Sequence, residues 1–290
     1  MSTVDSGTGL LGLFGHPVEH SISPLIHNQA LKKHNLNFVY LAFDIKPEAV
    51  QSAVAGIRSF GIKGVNVTIP HKKKVVEYLD IVEDTAQKLK AVNTIVNDEG
   101  CLKGYNTDIA GFQRMLEKDG QFIIKGKKVL IIGAGGAARA VCSALCEKDA
   151  AELYIINRTP EKALRVVEKW SATYPEIEFG GGGLTEEFYG PLLEKVDLVV
   201  DTTPVGMEPN VEQPPVIKTG NIHSGQLVVD LVYNPRETTI LQEASKKGAR
   251  TLNGLPMLLY QAAESFHLWT GVYPDVEGWY DLLKKQSDLY

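Results

Sequence analysis

The sequence is poor in cysteine, and its three cysteines are an odd number among 290 residues. This count excludes a dense disulfide framework. Cys142 and Cys146 lie one helical turn apart, but no pair of cysteines or histidines nearby completes a metal site. We therefore predict that both pack in a core and that the protein has no metal centre.

Positive charge is also scarce, because 30 Lys and Arg face 35 Asp and Glu and the formal net charge is −5. A basic surface for nucleic acid or for an acidic membrane is therefore not expected. The sequence also has no positively charged leader and no run near the ~20 apolar residues of a membrane span. We expect a soluble cytoplasmic protein, monomeric or homodimeric, whose partners are small molecules.

The sequence does contain two series of alternating strand-like and helix-like segments. The first predicts strands at residues 10–15, 38–45, 64–70 and 91–98, the last ending in a turn at Gly100, and helices at 24–35 and 47–60. The second, from "KKVLIIG" to "QLVVDLVYNP", has continuous Val, Ile and Leu runs separated by helices, as a parallel sheet covered on both faces requires. The glycine tract at residues 180–183 is predicted to be a flexible loop.

Two helical segments, at residues 255–271 and near 275–286, follow the last predicted strand. With no strand left for a third sheet, they most simply pack on the first domain. The predicted fold class is therefore α/β with two domains. One comprises residues 1–107 and is completed by the C-terminal helices of residues 253–290, and the other comprises residues 108–252.

A dinucleotide-binding motif follows the strand "VLII". Gly133, Gly135 and Ala138 have the spacing G-x-G-x-x-G/A between an apolar strand and a helix. The first glycine permits a tight turn, the second lets a pyrophosphate approach, and the amides of the helix N-terminus bind the anion. We therefore predict a Rossmann-type domain in which a dinucleotide contacts Gly133, Ala134, Gly135, Gly136 and Ala137.

The next strand ends at Asn157, Arg158 and Thr159, where a carboxylate would select NAD. No acidic residue is there to repel a 2′-phosphate, whereas Arg158 can bind one and its two neighbours can add neutral hydrogen bonds. Thr159 can equally be a helix N-cap before Pro160, with Arg158 as a surface residue, and both interpretations can hold together. The arginine favours NADP as the cofactor.

Three consecutive lysines follow Pro70. If Thr68 caps a helix, Lys72 falls on its apolar face, while Lys73 and Lys74 turn to the polar side. An unpaired buried ammonium costs several kcal/mol, so Lys72 either reaches water along its stem or has a partner in a cleft. The helical geometry leaves both alternatives open.

Three polar residues are further candidates. Asp108 directly precedes a helix and could be the partner of Lys72, or it could be a helix N-cap. Ser21 and Ser23 direct their hydroxyls to the same region if their segment is extended, but Ser23 is also a candidate N-cap for a helix that starts at Pro24.

The sequence resembles the shikimate dehydrogenases from about Leu11 to beyond Gln261, because seven motifs occur in the order of that family. These motifs are "SISP" (21–24), "NVTIPHK" (66–72), "AVNT" (91–94), "GYNTD" (104–108), "GAGGAARA" (133–140), "NRT" (157–159) and "NGLPMLLYQA" (253–262).

The resemblance implies reversible reduction of dehydroshikimate to shikimate with NADPH, in the pathway to aromatic amino acids. It implies a substrate domain at residues 1–107 and an NADP-binding domain, with the active site in a cleft between them and Lys72 and Asp108 as the catalytic pair. It also implies a substrate site formed by Ser21, Ser23, Thr68, Asn93, Tyr233 and Gln261. A nicotinamide site is implied at Thr203, Gly254 and Met257.

The chemistry agrees with these residue types, because an alkoxide left by hydride transfer needs a proton and a nearby cation. Two positions depart from the family: Asp201 occupies a position where relatives commonly have asparagine, and Ala262 one where glycine is frequent. Two alternatives remain. One is the same chemistry on quinate, with relaxed use of NAD, and the other is a non-catalytic NADP-binding regulator, against which the presence of both Lys72 and Asp108 argues.

Overall fold

The computed structural model describes residues 4–285 of the chain. Within this part, the chain divides into two compact units. Unit 1 comprises residues 4–107 and 261–285, and unit 2 comprises residues 108–260. Residues 286–290, at the end of the predicted C-terminal segment, lie outside the described residues, as do residues 1–3.

Unit 1 contains a mixed six-stranded sheet. Its strand order is β2-β1-β3-β5-β6-β4, in which β5 is antiparallel to both of its neighbours and the other pairs are parallel. The elements are β1 (Gly9–Gly15), α1 (Ser23–Lys33), β2 (Phe38–Asp44), α2 (Val50–Ser59), β3 (Gly64–Val67), β4 (Ile81–Val82), α3 (Asp84–Leu89), β5 (Thr94–Asp98) and β6 (Cys101–Tyr105).

Apolar spacing explains how α2 covers this sheet. Val50, Val54 and Ile57 recur at helical spacing, and all three are fully buried. They pack with Val65 of β3 and Ile95 of β5 in one apolar cluster. The helix predicted at residues 47–60 is therefore held on the sheet by this stripe.

The hairpin of β5 and β6 is only partly predicted. Its turn is correct, because Glu99 and Gly100 both have positive φ, 51° and 93°, as a two-residue hairpin turn requires. The returning strand β6 was missed, since "CLKGY" contains a lysine and a glycine and has a weak strand signal. Two strand limits also differ from the prediction, because β3 ends at Val67 and β5 begins at Thr94.

Unit 2 is built on a six-stranded sheet with the order β12-β11-β10-β7-β8-β9, and every pairing is parallel, as predicted. Its central strands are continuous apolar runs that are buried along their length. The elements are α4 (Asp108–Lys118), β7 (Lys128–Ile132), α5 (Gly136–Cys146), β8 (Glu152–Ile156), α6 (Pro160–Thr173), β9 (Glu178–Gly182), α7 (Glu186–Leu193), β10 (Leu198–Asp201), β11 (Leu227–Asp230), α8 (Thr239–Lys246) and β12 (Arg250–Leu252).

The glycine tract is a strand, so the predicted flexible loop is wrong. β9 runs through Gly182 at the edge of the sheet. A Cβ atom on Gly180 would lie 2.7 Å from the ring of Tyr154, and one on Gly182 would lie 2.8 Å from the ring of Phe188. The glycines are therefore needed because two aromatic rings pack directly on the strand backbone.

Two helices, α9 (Leu255–Thr270) and α10 (Val276–Lys285), end the described chain. From Gln261 onward they belong to unit 1, where the indole N–H of Trp269 donates to the backbone oxygen of Ile95 at 3.0 Å. Trp279 of α10 is fully buried against His27 of α1. The C-terminal helices thus complete the first unit. Among residues 4–285, no helix has the length and apolar character that crossing a membrane requires.

Candidate active site

The predicted α-helix from Thr68 is wrong. The chain instead forms a turn, closed by a 2.9 Å hydrogen bond from the His71 N–H to the Thr68 oxygen, and then a short 3-10 helix at Lys74–Tyr78. The reason is local, because Ile69 precedes Pro70 and a residue before proline is driven away from the α region. The helical angle used for the lysines therefore does not apply.

The separation of the three lysines nevertheless holds. Lys72 is half-buried, whereas Lys73 and Lys74 are exposed. Lys74 forms an ion pair with Glu77, and Val75 beside it is fully buried and anchors the segment in the core. Lys72 is thus the lysine of the three that the turn withdraws from solvent.

Backbone hydrogen bonds fix Lys72 beside two other candidates. The Lys72 carbonyl accepts from the Val92 N–H at 2.8 Å, and the Val67 N–H donates to the Asn93 carbonyl at 2.8 Å. Thr68 follows Val67 directly and is half-buried. Lys72, Thr68 and Asn93 are therefore held together where β3 ends and β5 begins.

A buried polar network connects Asn93 to α9. The Asn93 amide nitrogen donates to the Thr107 hydroxyl at 3.0 Å and to the Gln261 side-chain oxygen at 3.4 Å, while its oxygen accepts from the Thr107 N–H at 2.8 Å. The Ser265 hydroxyl, one turn after Gln261, pairs with the hydroxyl of Thr94 at 2.8 Å. Thr107 and Ser265 were missed from the sequence, because only the three-dimensional pairing of α9 with β5 reveals them.

Ser21 and Ser23 lie together at the start of α1, and both are half-buried. The Ser23 N–H donates to the Ser21 hydroxyl at 3.2 Å. Ser23 is the first helical residue and Ile22 is the N-cap, so the predicted capping role of Ser23 is wrong by one position. Unit 1 therefore holds two groups of candidates, the serines at the start of α1 and the polar network around Asn93.

In unit 2, the glycine turn after β7 has the predicted conformation. Gly133 has a φ of +105°, and a Cβ on it would lie 2.4 Å from the Thr202 hydroxyl oxygen. A Cβ on Gly135 or Gly136 would instead meet no atom within 4 Å. Since α5 has no side-chain cap, the amides at its N-terminus face this open space, which fits a dinucleotide pyrophosphate.

The residues after β8 have the expected polar character. Arg158 and Thr159 are exposed, and the Asn157 amide donates to the Thr159 backbone oxygen at 3.0 Å. Thr159 precedes α6 in the N-cap position, with Pro160 following, but its hydroxyl makes no capping hydrogen bond. The hydroxyl and the guanidinium are therefore not committed to the helix end, as a site for a 2′-phosphate requires.

The remaining candidates of this unit follow β10, β11 and β12, with Met257 in the first turn of α9. Thr203, Tyr233 and Met257 are half-buried, and the Thr203 N–H donates to Asp201 Oδ1 at 2.8 Å. The Gly254 N–H donates to the Val232 oxygen at 3.0 Å, and a Cβ on Gly254 would lie 1.9 Å from the Leu231 oxygen. Only glycine allows this close approach of the two backbones.

Asp108 is half-buried and is the first residue of α4. Cys142 and Cys146 are buried in α5, in agreement with core packing. Asp230 was missed from the sequence. The signal that could have found it is the repeat of "LVVD" in β10 and β11, which ends in two aspartates.

A parallel sheet with a glycine turn at its centre, joined to a second α/β unit rich in buried polar side chains, is typical of dinucleotide-dependent enzymes with a Rossmann-type domain. Three family models match the chain: the shikimate dehydrogenase substrate binding domain at residues 13–95, shikimate / quinate 5-dehydrogenase at 116–239, and the shikimate 5′-dehydrogenase C-terminal domain at 254–283. The chain belongs to the shikimate dehydrogenase family.

Known relatives resemble the chain over nearly its whole length. The shikimate dehydrogenase (NADP(+)) of Halothermothrix orenii is 50% identical over 272 residues, which cover 94% of each chain. The shikimate 5-dehydrogenase of Thermus thermophilus, solved in complex with NADP(H) and shikimate, is 37% identical with a TM-score of 0.83 and covers 93% of this chain and 97% of that one. The quinate dehydrogenase of Corynebacterium glutamicum in complex with NAD is 29% identical with a TM-score of 0.85, covering 93% and 96%.

Proposed function

We propose that this enzyme is an NADP-dependent shikimate dehydrogenase that reversibly reduces 3-dehydroshikimate to shikimate in aromatic amino acid biosynthesis. The observation that carries the proposal is the glycine turn with open helix amides, followed by Arg158 with no carboxylate beside it, in a chain 50% identical to an NADP(+) enzyme of this name. When bound, NADPH supplies the hydride.

In this proposal, residues 1–107 and 253–290 form the substrate domain and residues 108–252 the NADP-binding domain. Ser21 and Ser23, with Tyr233, hold the substrate carboxylate. Thr68, Asn93, Asp108 and Gln261 bind the ring hydroxyls. The hydrogen bonds that join Asn93 to Gln261 and fix Lys72 beside them support a common site in unit 1.

Lys72 and Asp108 form the proposed proton-transfer pair. The Lys72 ammonium stabilises the alkoxide oxygen as charge develops on it and donates the proton to that oxygen. Asp108, as an opposite charge, orients the ammonium and favours its protonated form. Lys72 is half-buried whereas Lys73 and Lys74 are exposed, and this difference supports the assignment.

On the cofactor side, Gly133 to Ala137 receive the pyrophosphate, and Asn157, Arg158 and Thr159 bind the 2′-phosphate. Thr203, Gly254 and Met257 line the nicotinamide site. We further propose a cytoplasmic location and a monomeric or homodimeric state, without nucleic-acid or membrane partners, as the net charge of −5 suggests.

Steady-state rates with shikimate and quinate, each with NADP and NAD, test the proposal. We expect the highest kcat/KM for shikimate with NADP. A higher value for quinate would support the second candidate, quinate oxidation, which is favoured by the match to a family model that names both substrates. No reduction of either cofactor with either substrate would contradict both functions.

A further inference from the structure

Two buried aspartates end neighbouring strands of unit 2. Asp201 on β10 pairs in register with Asp230 on β11, and the two residues are 2% and 0% exposed. In a parallel pair, residues in register project to the same face of the sheet, and the strands are about 4.8 Å apart. The two carboxyl groups are therefore close neighbours in a region without solvent.

Within residues 4–285, the hydrogen-bond donors and strand neighbours of this pair include no cation. On the other side of β10, Asp201 is in register with Ile132 of β7. The hydrogen bonds to the two carboxyls come from the Thr203 N–H, the Val232 N–H and the Thr238 hydroxyl at the start of α8. Among the described residues, no lysine, arginine or histidine contributes to the electrostatics of either carboxyl. Two negative charges at this spacing would repel strongly.

Each carboxyl also organises one of the loops that carry proposed cofactor and substrate residues. Asp201 Oδ1 accepts from the Thr203 N–H at 2.8 Å, and Asp230 Oδ1 accepts from the Val232 N–H at 2.9 Å. The carbonyl oxygen of Val232 in turn accepts a hydrogen bond from the Gly254 N–H, and Val232 directly precedes Tyr233. A change of charge at the carboxyl pair would therefore alter the hydrogen bonds that hold both loops.

We propose that Asp201 and Asp230 share one proton at neutral pH and that this proton positions the nicotinamide-binding loops, which makes Asp201 a positioning residue. The role of the loops rests on the proposed function. Burial raises the pKa of Asp201 to about 7, with the charge of Asp230 adding to the effect, and burial raises the pKa of Asp230 to about 6. With one carboxyl neutral, the two strand ends carry a single negative charge between them, and the two loops keep their hydrogen bonds.

Loss of this proton at alkaline pH places a second negative charge beside the first, and the repulsion between the two carboxylates strains the strand ends from which the loops start. NADP binding, which needs the loops in place, then favours the protonated pair. By linkage, each unit by which binding raises the pKa of the pair weakens binding ~10-fold as the pH rises through the transition.

NMR of the wild-type protein labelled at the aspartate side-chain carboxyl carbons tests the shared proton directly. We expect two resonances, assigned with Asp201→Asn and Asp230→Asn, that titrate in coupled steps well above the range of surface aspartates. Two resonances that are fully ionised at pH 5 would overturn the proposal, whatever substrate the enzyme uses.

NADPH binding, measured by fluorescence between pH 6 and pH 9 without substrate, tests the positioning role. We expect the dissociation constant of the wild type to rise ~10-fold with a midpoint near pH 7, and that of Asp201→Asn to lack this step, because the amide stays neutral over the whole range. Ionisation of the cofactor affects both proteins equally.

Asp149→Asn is the matched control, because this aspartate of the same unit is exposed and the chemical change is identical. It should keep the wild-type profile. Equal pH profiles for wild type and Asp201→Asn would overturn the positioning role. If NADPH does not bind at all, the proposed function and the positioning role fail, but the NMR titration still decides whether the proton is shared.

Discussion

Lys72 differs from the lysines beside it through its backbone environment. Its carbonyl is tied to Val92, while the buried Val75 fixes the following turn in the core. The sequence pattern separated Lys72 from its neighbours by a helical angle, yet the segment is a turn followed by a 3-10 helix. The separation holds because the buried Val75 and the hydrogen bond between Val92 and the Lys72 carbonyl together turn Lys72 away from solvent.

Replacement of Lys72 by alanine should lower kcat by roughly 10²-fold or more, because the group acts on charge that develops in the transition state. KM for shikimate should change much less. Steady-state kinetics of Lys72→Ala and of the control Lys73→Ala, an exposed neighbour, check this. Wild-type turnover in Lys72→Ala would remove the residue from the mechanism.

Arg158 should decide the choice of dinucleotide. Loss of a charge-assisted contact to a phosphate costs about 1.5–3 kcal/mol, so Arg158→Ala should raise KM for NADP by roughly 10- to 100-fold. KM for NAD should stay nearly constant. Arg165→Ala is the control, because this arginine is also exposed and lies on the following helix α6. An unchanged preference for NADP would show that other groups recognise the 2′-phosphate.

At the scale of elements, the turn from β7 to α5 uses its glycines for two different reasons. Gly133 needs a positive φ and lies against Thr202, so its role is structural. Gly135 has a φ of −80°, which any residue adopts, and a Cβ there would enter open space. The second glycine is therefore required only if a ligand approaches the backbone.

Alanine substitutions should separate these two roles. Gly133→Ala should lower the free energy of unfolding by about 1–3 kcal/mol, because of backbone strain and the contact with Thr202. Gly135→Ala should leave the free energy of unfolding within about 0.5 kcal/mol of wild type but weaken NADP binding. Urea unfolding measures the free energy of unfolding of each variant, and NADPH titration measures its cofactor affinity. Equal NADPH affinity in Gly135→Ala and wild type would contradict a pyrophosphate at this turn.

The elements also show where sequence patterns fail. The central strands of unit 2, β7, β8, β10 and β11, and the glycine turn were predicted, because burial on both faces and a tight turn leave local signals. β9 was missed, because its glycines leave room for the rings of Tyr154 and Phe188, which lie outside the strand. The partnership of Thr107 and Ser265, and that of Asp201 and Asp230, depends on packing or register, which no local pattern contains.

At the scale of the whole molecule, two buried titratable groups should make the free energy of unfolding depend on pH, and their effects have opposite directions. Complete burial lowers the pKa of His27 from 6.5 to about 3. Below pH 6.5 the unfolded chain therefore binds a proton that the folded chain does not, and stability falls toward acid. Asp201 acts oppositely: its pKa rises from 3.8 to about 7, so its contribution falls as pH rises through that window.

The His27 contribution can be measured alone. His27→Leu should remove a slope of about 1.4 kcal/mol per pH unit between about pH 4 and pH 6. Urea unfolding followed by tryptophan fluorescence suits this test, because Trp269 and Trp279 adjoin His27 in unit 1. His267→Leu, at an exposed position of the same unit, should keep the wild-type slope. Identical slopes in all three proteins would mean that His27 is charged in the fold.

The attachment of α9 to unit 1 affects the order in which the two units can fold during synthesis. Asn66 and Thr94 bind Ser265, which is 199 and 171 residues away in the chain, and Trp269 covers Ile95. In the described part of the chain, unit 2 comprises residues 108–260 and makes its sheet from shorter separations. As the chain leaves the ribosome, unit 2 can therefore close its core while unit 1, begun earlier, still waits for its last helices.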